Sequence, residues 1–302
     1  MKKLFAMMLA AAMMLSMTAC GGSDKPAATE PAATEPAATE PAATEPAATE
    51  PAAEPALETV TEGKLTVATS PDFAPYEFYA IAEDGTPSLA GFDVALAHYI
   101  ADYLNLELEI IPMDFDGVLM EVATGKVDLG MAGLSPDPDR MDAMDFSDIY
   151  YEGGQSFVTV TANKDMFKSL EDTNNADISV GAQIASIQMD LANEFSPNAD
   201  IVPLVKVTDI IAELLTGKLD GAYIETAVAE SYKTNYPELE IVLDVPYEAE
   251  GSAIGVVKGN EGLLAAVNEA INAALTDGSM DKFVAEAGET ASGNIYEGLL
   301  DG

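Results

Sequence analysis

Short apolar runs alternate with amphipathic stretches along the chain after residue 58. Runs at residues 64–69, 106–112 and 127–131 are typical of buried strands, and helix-period patterns lie between them at 94–104 and 115–123. The order strand, helix, strand, helix, strand at this spacing predicts βαβ units on a parallel sheet.

A second α/β unit follows an extended connection at residues 155–161. Further strands are predicted at 177–180, 201–205 and 254–257, with a turn at 181–188 and helices at 189–194, 209–215 and 262–275. Residues 70–78 carry three aromatic side chains and are predicted to be irregular. Asp93 precedes the first helical stretch and is suited to be its N-cap.

Two seven-residue segments share one turn sequence. Residues 124–130 (TGKVDLG) and 216–222 (TGKLDGA) each end a helix with glycine and place an aspartate before a strand of small residues. Ligands of open α/β sheets bind at the carboxyl ends of the strands. Two lobes that present these strand ends to each other would form a cleft.

The first of these strands leads to a candidate anion site. The strand breaks at Gly133, a turn with two prolines follows, and Arg140 stands near a helix start among Asp137, Asp139, Asp142 and Asp145. A guanidinium beside free backbone N–H groups and the Ser135 hydroxyl can hold a carboxylate by charge-assisted bonds. The alternative is that Arg140 only neutralises its acidic neighbours.

The composition excludes several classes of function. Lys and Arg total 13 against 52 acidic residues, and a net charge of -39 disfavours binding to nucleic acid or to anionic lipid. With one cysteine and one histidine, the chain cannot form an internal disulfide or a histidine-rich metal site. A histidine-dependent nucleophile would have to use His98, which lies in an apolar-periodic helix. We expect no metal and no cofactor.

The N-terminus has the three parts of an export signal. Residues 1–19 combine two lysines, an apolar run and small residues before Cys20, which resembles a bacterial lipoprotein signal. Lipidation of Cys20 with a diacyl group, together with palmitate, would anchor the protein to the outer face of the cell membrane. The alternative is a plain secretory signal that leaves a free thiol.

A proline-punctuated repeat follows the cysteine. The unit PAATE occurs five times between residues 26 and 50, and proline at every fifth position prevents a continuous helix. Because the segment lacks large apolar residues, residues 20–58 are predicted to be a disordered acidic spacer. About thirty such residues in extended form reach on the order of 90 Å.

Several spaced blocks of the globular part match one known family. They are VATSPDFAPYEF at 67–78, GFDVALA at 91–97, MDFDG at 113–117, GKVD at 125–128, and Arg140 six residues before FSD at 146–148. The chain resembles the bacterial extracellular solute-binding proteins of family 3, the polar amino acid receptors of ABC importers.

The resemblance implies a fold and its boundaries. That fold is α/β, two-lobed and periplasmic-binding-protein-like (type II), with a mainly parallel sheet flanked by helices in each lobe and two crossover hinge strands. Residues 59–153 and 252–302 would form lobe 1, and residues 154–251 would form lobe 2. Glycines near 153–154 and 251 suit hinges.

The resemblance also implies a clamp for the charged groups of an amino acid. Arg140, with Ser135 and the Gly133 backbone, corresponds to the group that holds the ligand α-carboxylate. Glu225 stands where the family places an acid, usually aspartate, for the α-ammonium. The alternative for Glu225 is a negative charge that complements a helix N-terminus.

Other positions correspond to the part of the site that meets the ligand side chain. Phe73 and Phe115, and less clearly Tyr76, match aromatics that stack on the aliphatic part, although each could belong to the lobe core. Ser70 stands where relatives that take cationic or amide side chains often have aspartate, and this departure, with others, favours a neutral polar ligand. The remaining candidates follow the first strand of lobe 2: Gln183, Ser186 and Gln188.

These positions lead to one expected function and two alternatives. We expect a monomeric, lipid-anchored, exported protein that captures a free polar amino acid and delivers it to an ABC permease and its ATPase, with no catalytic activity. The first alternative is a ligand-sensing receptor lipoprotein without transport. The second is a dehydratase-type enzyme on the same fold, with Glu225 as acid or base.

Overall fold

A computed structural model describes residues 56–81, 84–248 and 251–294. The predicted signal at 1–19, Cys20 and almost all of the spacer at 20–58 lie outside the described residues. Within the described ranges, none of the helices has the length and apolar character needed to cross a membrane.

Strands and helices alternate through two lobes. The chain enters lobe 1 with β1 (Lys64–Thr69), β2 (Asp72–Phe73), β3 (Glu77–Ile81), β4 (Pro87–Ala90), α1 (Phe92–Leu104), β5 (Glu107–Pro112), α2 (Phe115–Ala123), β6 (Leu129–Gly130), α3 (Pro138–Met141) and β7 (Met144–Phe146). Lobe 2 contains β8 (Gln155–Val160), a 3-10 turn (Leu170–Thr173), β9 (Ser179–Gln183), α4 (Ile187–Phe195), β10 (Asp200–Leu204), α5 (Val207–Leu215), β11 (Gly221–Glu225), α6 (Thr226–Asn235) and β12 (Leu239–Val245). The chain then returns to lobe 1 with β13 (Gly255–Val257), α7 (Glu261–Asp277) and α8 (Ser279–Asn294).

Each lobe is built on a five-stranded sheet of matching topology. The strand orders are β5-β1-β6-β13-β7 and β10-β9-β11-β8-β12. In each sheet two neighbouring pairs are parallel and two are antiparallel. The antiparallel pairs involve β13 and β8, the strands that enter from the other lobe. Because they arrive from the opposite direction, the sheets are more mixed than the sequence pattern predicts.

The shared turn sequence forms the same structure in both lobes. Gly125 ends α2 and Gly217 ends α5, with φ of 66° and 72°, a conformation that glycine adopts without steric cost. After each turn the chain enters the central parallel strand of its sheet, β6 or β11.

The aspartate of each turn binds the neighbouring strand. The carboxylate of Asp128 accepts hydrogen bonds from the N–H groups of Thr66, at 2.7 Å, and Val60, at 2.6 Å. The carboxylate of Asp220 accepts one from the N–H of Ser179, at 2.9 Å. These bonds set the position of β6 against β1 and of β11 against β9.

Helix α1 begins two residues earlier than an Asp93 cap would require, at Phe92 instead of Val94. Gly91 is the N-cap, and Asp93 lies buried in the first turn, so the prediction that Asp93 caps this helix is wrong. Its carboxylate instead accepts hydrogen bonds from the Tyr150 hydroxyl, at 2.7 Å, and the Gly133 N–H, at 3.1 Å. Partners distant in sequence therefore override the local capping preference.

Other elements differ from their predicted places. Residues 70–78, predicted to be irregular, contribute to a small antiparallel sheet of β2, β3 and β4. Phe78 and Ala80 in this sheet pack with Ala291 of α8, a helix that the sequence pattern did not indicate. In lobe 2 the strand β9 continues to Gln183, into residues predicted as a turn.

Two antiparallel segments connect the lobes, and their described parts are residues 147–154 in one and residues 246–248 and 251–254 in the other. Tyr151 and Ser252 form an isolated bridge between them. The Tyr247 hydroxyl donates to the Gly153 carbonyl, at 3.2 Å, and accepts from the Gly251 N–H, at 3.0 Å. A Cβ on Gly251 would lie 2.8 Å from the Tyr151 carbonyl oxygen, so only glycine allows the two segments to approach this closely.

Candidate functional site

Arg140 reaches from lobe 1 to lobe 2. It lies in the short helix α3, which Asp137 caps. Its Nη1 donates to the Ser135 carbonyl at 3.1 Å, and its Nη2 donates to the Ala185 carbonyl of lobe 2 at 3.0 Å. The guanidinium carbon stands 5.6 Å from the centroid of the Phe115 ring, within cation–π range.

The guanidinium has no ionic partner within the described part of the chain. No carboxylate there lies within 4.0 Å of it. Burial lowers the pKa of Arg140, and the more distant charges of Asp137 and Asp190 act in the opposite direction. Two of its five N–H groups bond carbonyls, so three are left for a further acceptor. The alternative in which Arg140 only neutralises adjacent acids does not fit this geometry.

A small cavity lies beside the guanidinium and is lined by both lobes. Seven of the residues predicted to bind ligand line it, together with Ala132 and Ile187, which the sequence did not indicate. The seven are Phe73, Phe115, Gly133, Ser135, Arg140, Gln183 and Gln188. Ser70, Tyr76, Ser186 and Glu225 are not among the lining residues.

The N-terminus of α4 faces this cavity. Its first two residues, Ile187 and Gln188, line the cavity, and the first N–H groups of a helix have no intrahelical acceptors. They add a positive partial charge on the side where Arg140 bonds the Ala185 carbonyl. Sequence reasoning missed this feature because it predicted the helix to begin at residue 189.

Ser186 has a structural role at this helix. It is the N-cap of α4, and its hydroxyl accepts from the Met189 N–H at 3.2 Å and donates to the Gln183 carbonyl at 2.7 Å. The hydroxyl proton is therefore used within the turn. A contact of Ser186 with a ligand stays a prediction.

Gly133 lines the cavity but does not offer its N–H. That group donates to the Asp93 carboxylate at 3.1 Å, and a part for the Gly133 backbone in holding a ligand carboxylate stays a prediction. With a φ of 56°, the residue also allows the Phe73 ring to come close, because a Cβ there would lie 2.7 Å from Phe73 Cε1. Burial raises the pKa of Asp93 to about 6, and the bonds from Tyr150 and Gly133 oppose that rise.

Glu225 lies at the carboxyl end of β11 and is 4% exposed. Its Oε2 accepts from the Val228 N–H at 2.9 Å, which makes it the N-cap of α6, and its Oε1 accepts from the Gly154 N–H at 3.4 Å. The expected contact with a helix N-terminus is thus present. Burial raises the pKa of Glu225 to about 7 despite these bonds.

Tyr76 connects the surroundings of Glu225 with those of Phe73. A Cβ on Gly153 would lie 2.8 Å from Glu225 Oε1 and 3.2 Å from the Tyr76 hydroxyl oxygen, which places the two groups side by side. The Tyr76 and Phe73 rings have centroids 5.3 Å apart. Tyr76 is fully buried in the lobe 1 core, so only its hydroxyl reaches the space near Glu225.

Ser70 is hydrogen-bonded to an acid that sequence reasoning overlooked. Its hydroxyl donates to Asp72 Oδ1 at 2.9 Å. The second oxygen of Asp72 accepts from the Val207 N–H at 2.6 Å and from Gln183 Nε2 at 3.4 Å, both in lobe 2. Burial raises the pKa of Asp72 to about 6.

Neither a metal site nor a histidine-based nucleophile is found in the described ranges. They contain no group of three or more His, Cys, Asp or Glu side chains that could hold a metal ion. His98 is exposed on α1.

Gln188 donates to Gln155 at 2.7 Å, which fixes its amide at the edge of the cavity.

Known proteins match this chain over most of its globular part. The model of the bacterial extracellular solute-binding proteins, family 3, matches residues 65–288. The arginine-binding extracellular protein ArtP of Bacillus subtilis (strain 168) is 32% identical over 224 residues, which cover 72% of this chain and 84% of that protein. A probable histidine-binding protein of Neisseria gonorrhoeae is 30% identical over 302 residues, covering 96% and 99%.

A solved structure has the same architecture. It is the amino acid ABC transporter substrate-binding protein AbpA of Streptococcus pneumoniae Canada MDR_19A, bound to L-arginine. It superposes with a TM-score of 0.73 at 33% identity, covering 76% of this chain and 96% of that one.

Proposed function

The chain belongs to the bacterial extracellular solute-binding proteins of family 3, and we propose that it captures a polar amino acid between its lobes for an ABC importer. The observation that carries this proposal is the Arg140 guanidinium, which lies between the lobes with no carboxylate of the described residues within 4.0 Å. A ligand carboxylate would supply that partner, and the N-terminus of α4 would add further donors.

Glu225 supplies the opposite charge of the clamp. A buried carboxyl with a pKa near 7 is short of positive charge, and an α-ammonium beside it would stabilise the ionised form. The Tyr76 hydroxyl, next to this carboxyl, is a further acceptor for the ammonium. A zwitterion held in this way would have Arg140 at one end and Glu225 at the other.

Two ligand classes compete for the side-chain end of the cavity. Ser70 favours a neutral polar side chain, which could bond Gln183 and Gln188. A cationic side chain is favoured by the relatives, since ArtP is an arginine-binding protein and AbpA was solved with L-arginine. We therefore place L-arginine and L-glutamine first among the ligands to test.

The cellular setting is part of the same proposal. A signal at residues 1–19, a lipid on Cys20 and the spacer would place the binding lobes at the outer face of the cell membrane, where they would deliver the captured ligand to a permease driven by its ATPase. A purely sensory receptor would use the same lobes. Deleting the gene of the partner permease should abolish uptake of the bound amino acid if the protein serves transport.

Isothermal titration of the purified protein with the twenty amino acids tests the binding proposal. We expect heat with at least one polar amino acid and none with its α-carboxamide, which lacks the charge that Arg140 would meet. Absence of heat with every amino acid would contradict the proposal. Because we expect no catalysis, NMR of the bound ligand after prolonged incubation should show it unchanged. New signals would favour the dehydratase-type alternative.

A further inference from the structure

Helix α5 of lobe 2 begins without a capping side chain of its own. Its N-cap residue is Lys206, which makes no capping hydrogen bond and whose ammonium carries no acceptor. The first helical residue is Val207, and its N–H is one of the groups that a helix leaves without an internal acceptor. Buried N–H groups of this kind require a partner from elsewhere.

The partner is a carboxylate of the opposite lobe. Asp72, on β2 of lobe 1, is 6% exposed and accepts from the Val207 N–H at 2.6 Å. The same oxygen accepts from Gln183 Nε2 at 3.4 Å, and the Ser70 hydroxyl holds the other oxygen at 2.9 Å. One aspartate thus caps a helix across the interlobe boundary.

This contact is also linked to the cavity. Gln183 lines the cavity, and its amide is shared between Asp72 and the Val205 carbonyl, at 3.0 Å. A ligand that fixes Gln183 would thereby fix one donor to Asp72. Opening the lobes would remove both lobe 2 donors and leave the Val207 N–H to water.

We propose that Asp72 is an interlobe latch that holds the lobes closed around the bound amino acid, by capping α5 from the opposite lobe. The role of Asp72 in retaining a ligand rests on the proposed function, but its hydrogen bond to lobe 2 can be tested without ligand. Asp72 is a positioning residue here, since it acts on closure through α5 and Gln183 and does not line the cavity.

Hydrogen bonds to a charged acceptor are stronger than neutral ones, so the latch should act mainly on ligand release. With L-arginine as the probe, Asp72→Ala should raise the dissociation rate about 10- to 100-fold and change the association rate by less than about threefold. Asp72→Asn keeps an acceptor but loses the charge, and should give an intermediate rate.

A purely structural role in capping α5 must be separated from a role in closure. Lys206→Ser in the Asp72→Ala background gives α5 a cap within its own lobe. It should restore the thermal stability of lobe 2 but leave ligand release fast. Restoration of slow release by Lys206→Ser would reduce Asp72 to a helix cap and overturn the latch.

Tyr232→Phe is the matched control for loss of a cross-lobe contact. The Tyr232 hydroxyl of α6 donates to the backbone carbonyl of Asp72 at 3.1 Å and caps no helix. We expect its removal to change the rate of L-arginine release less than Asp72→Ala does. An equal or larger change in the release rate would mean that any cross-lobe contact at β2 slows release, and it would overturn the specific role of the Asp72 carboxylate.

Two readouts need no ligand, and they keep the latch separate from the proposed function. In the wild-type protein the Val207 amide should be protected from hydrogen exchange, and Asp72→Ala should remove this protection and enlarge the radius of gyration in solution scattering. Unchanged exchange and unchanged radius would overturn the latch even if an amino acid binds. If both change and no amino acid binds, the latch stands and the proposed function fails.

Discussion

The two lobes contain the same turn sequence and lead from it to opposite chemistry. In both, a glycine ends a helix, a lysine and an aspartate follow, and the aspartate binds the neighbouring strand. After β6 the chain runs through seven residues without a strand or helix, 131–137, and then enters α3, which contains Arg140, whereas β11 ends on Glu225 itself. The turn therefore fixes the position of the strand in its sheet, and the residues at and after the end of the strand determine whether a cation or an anion is presented.

The anchoring of the two charged groups differs in a corresponding way. Glu225 is held by N–H groups of α6 and of the crossover segment, so its carboxyl is fixed whether or not lobe 1 is near. Arg140 is held by one carbonyl from each lobe, so its position depends on closure. We infer that the anion is preformed and that the cation is completed only when the lobes meet.

Removing the cation should have the largest effect. Arg140→Ala should weaken binding of the cognate amino acid by about 3–5 kcal/mol, because the ligand carboxylate would be buried without a partner. Titration calorimetry measures the loss, and circular dichroism should show an unchanged fold. Arg140→Lys is the matched control. It keeps the charge but loses the planar donor set, and wild-type affinity in either variant would contradict the assigned role.

Removing the anion should cost somewhat less, about 2–4 kcal/mol of binding, since Glu225→Gln retains an oxygen that can accept from the ammonium. The wild-type affinity should also fall about tenfold between pH 8 and pH 6, because protonation with a pKa of about 7 competes with the α-ammonium. Glu225→Gln should remove this dependence. A pH-independent wild-type affinity would refute the clamp.

The same pKa has a consequence for stability in the absence of ligand. Because burial raises the pKa of Glu225 from 4.5 to about 7, the folded protein binds more protons than the unfolded chain between these values. The free energy of unfolding should therefore rise as the pH falls from 8 toward 5, and Glu225→Gln should reduce the slope. Thermal unfolding at pH 8, 7, 6 and 5 measures this dependence. An equal slope in the variant would contradict a raised pKa of the Glu225 carboxyl.

The turn aspartates offer a direct comparison of the lobes. The buried carboxylate of Asp128 accepts from the Thr66 N–H and hydroxyl and from the Val60 N–H, whereas the carboxylate of Asp220 accepts from the Ser179 N–H alone among the described groups. Asp128→Ala should lower the unfolding free energy by about 3 kcal/mol and Asp220→Ala by about 1–2 kcal/mol. Chemical denaturation measures which variant loses more unfolding free energy. A larger loss in Asp220→Ala would contradict the argument from the number of hydrogen bonds.

The turn glycines should be equivalent. Gly125 and Gly217 have similar positive φ, and a Cβ would meet nothing within 4 Å at Gly217 and only a Val257 methyl at 4.0 Å at Gly125. Alanine at either position should cost about 1 kcal/mol of unfolding free energy through backbone strain alone. Ligand affinity should be unchanged in both, and a selective loss of affinity in one would show that its turn reaches the site.

The smallest expected effect is a gain. Ala185 has a φ of 62°, which is strained for alanine, while its carbonyl accepts from Arg140. Ala185→Gly should raise the unfolding free energy by about 0.5 kcal/mol, the relief of strain being partly offset by the greater freedom of glycine in the unfolded chain. Denaturant titration measures the gain, and a loss of stability would mean that the alanine methyl packs favourably.

The sequence predicted features encoded by contiguous residues. Short blocks with their own periodicity or turn chemistry encode three features. These are the alternation of strands and helices in each lobe, the two turns, and the group of Arg140, Ser135 and Phe115. Gly133 lines the cavity, but the bond of its N–H to Asp93 could not be predicted, because this acceptor is 40 residues away in sequence. Local pattern located the residue, and tertiary contact decided which atom is available.

Features formed only by distant contacts escaped prediction. The small sheet of β2–β4 packs against Ala291 in the last described helix, so nothing near it in sequence marks it as ordered. The bond between Asp72 and Val207 joins positions 135 residues apart. Ser186 looked like a ligand donor because the sequence shows a hydroxyl at a turn and does not show that the helix begins one residue later.

Arg140 is the only arginine in the 302 residues. Arginine labelled with 15N would therefore give the guanidinium signals of a single side chain, without assignment, in a protein of 31.6 kDa. An arginine-directed dicarbonyl reagent would likewise have one target, and the fraction modified would report how often the cleft stands open. The side chain that we propose as the cation of the binding site therefore also makes that site addressable by spectroscopy and by chemistry.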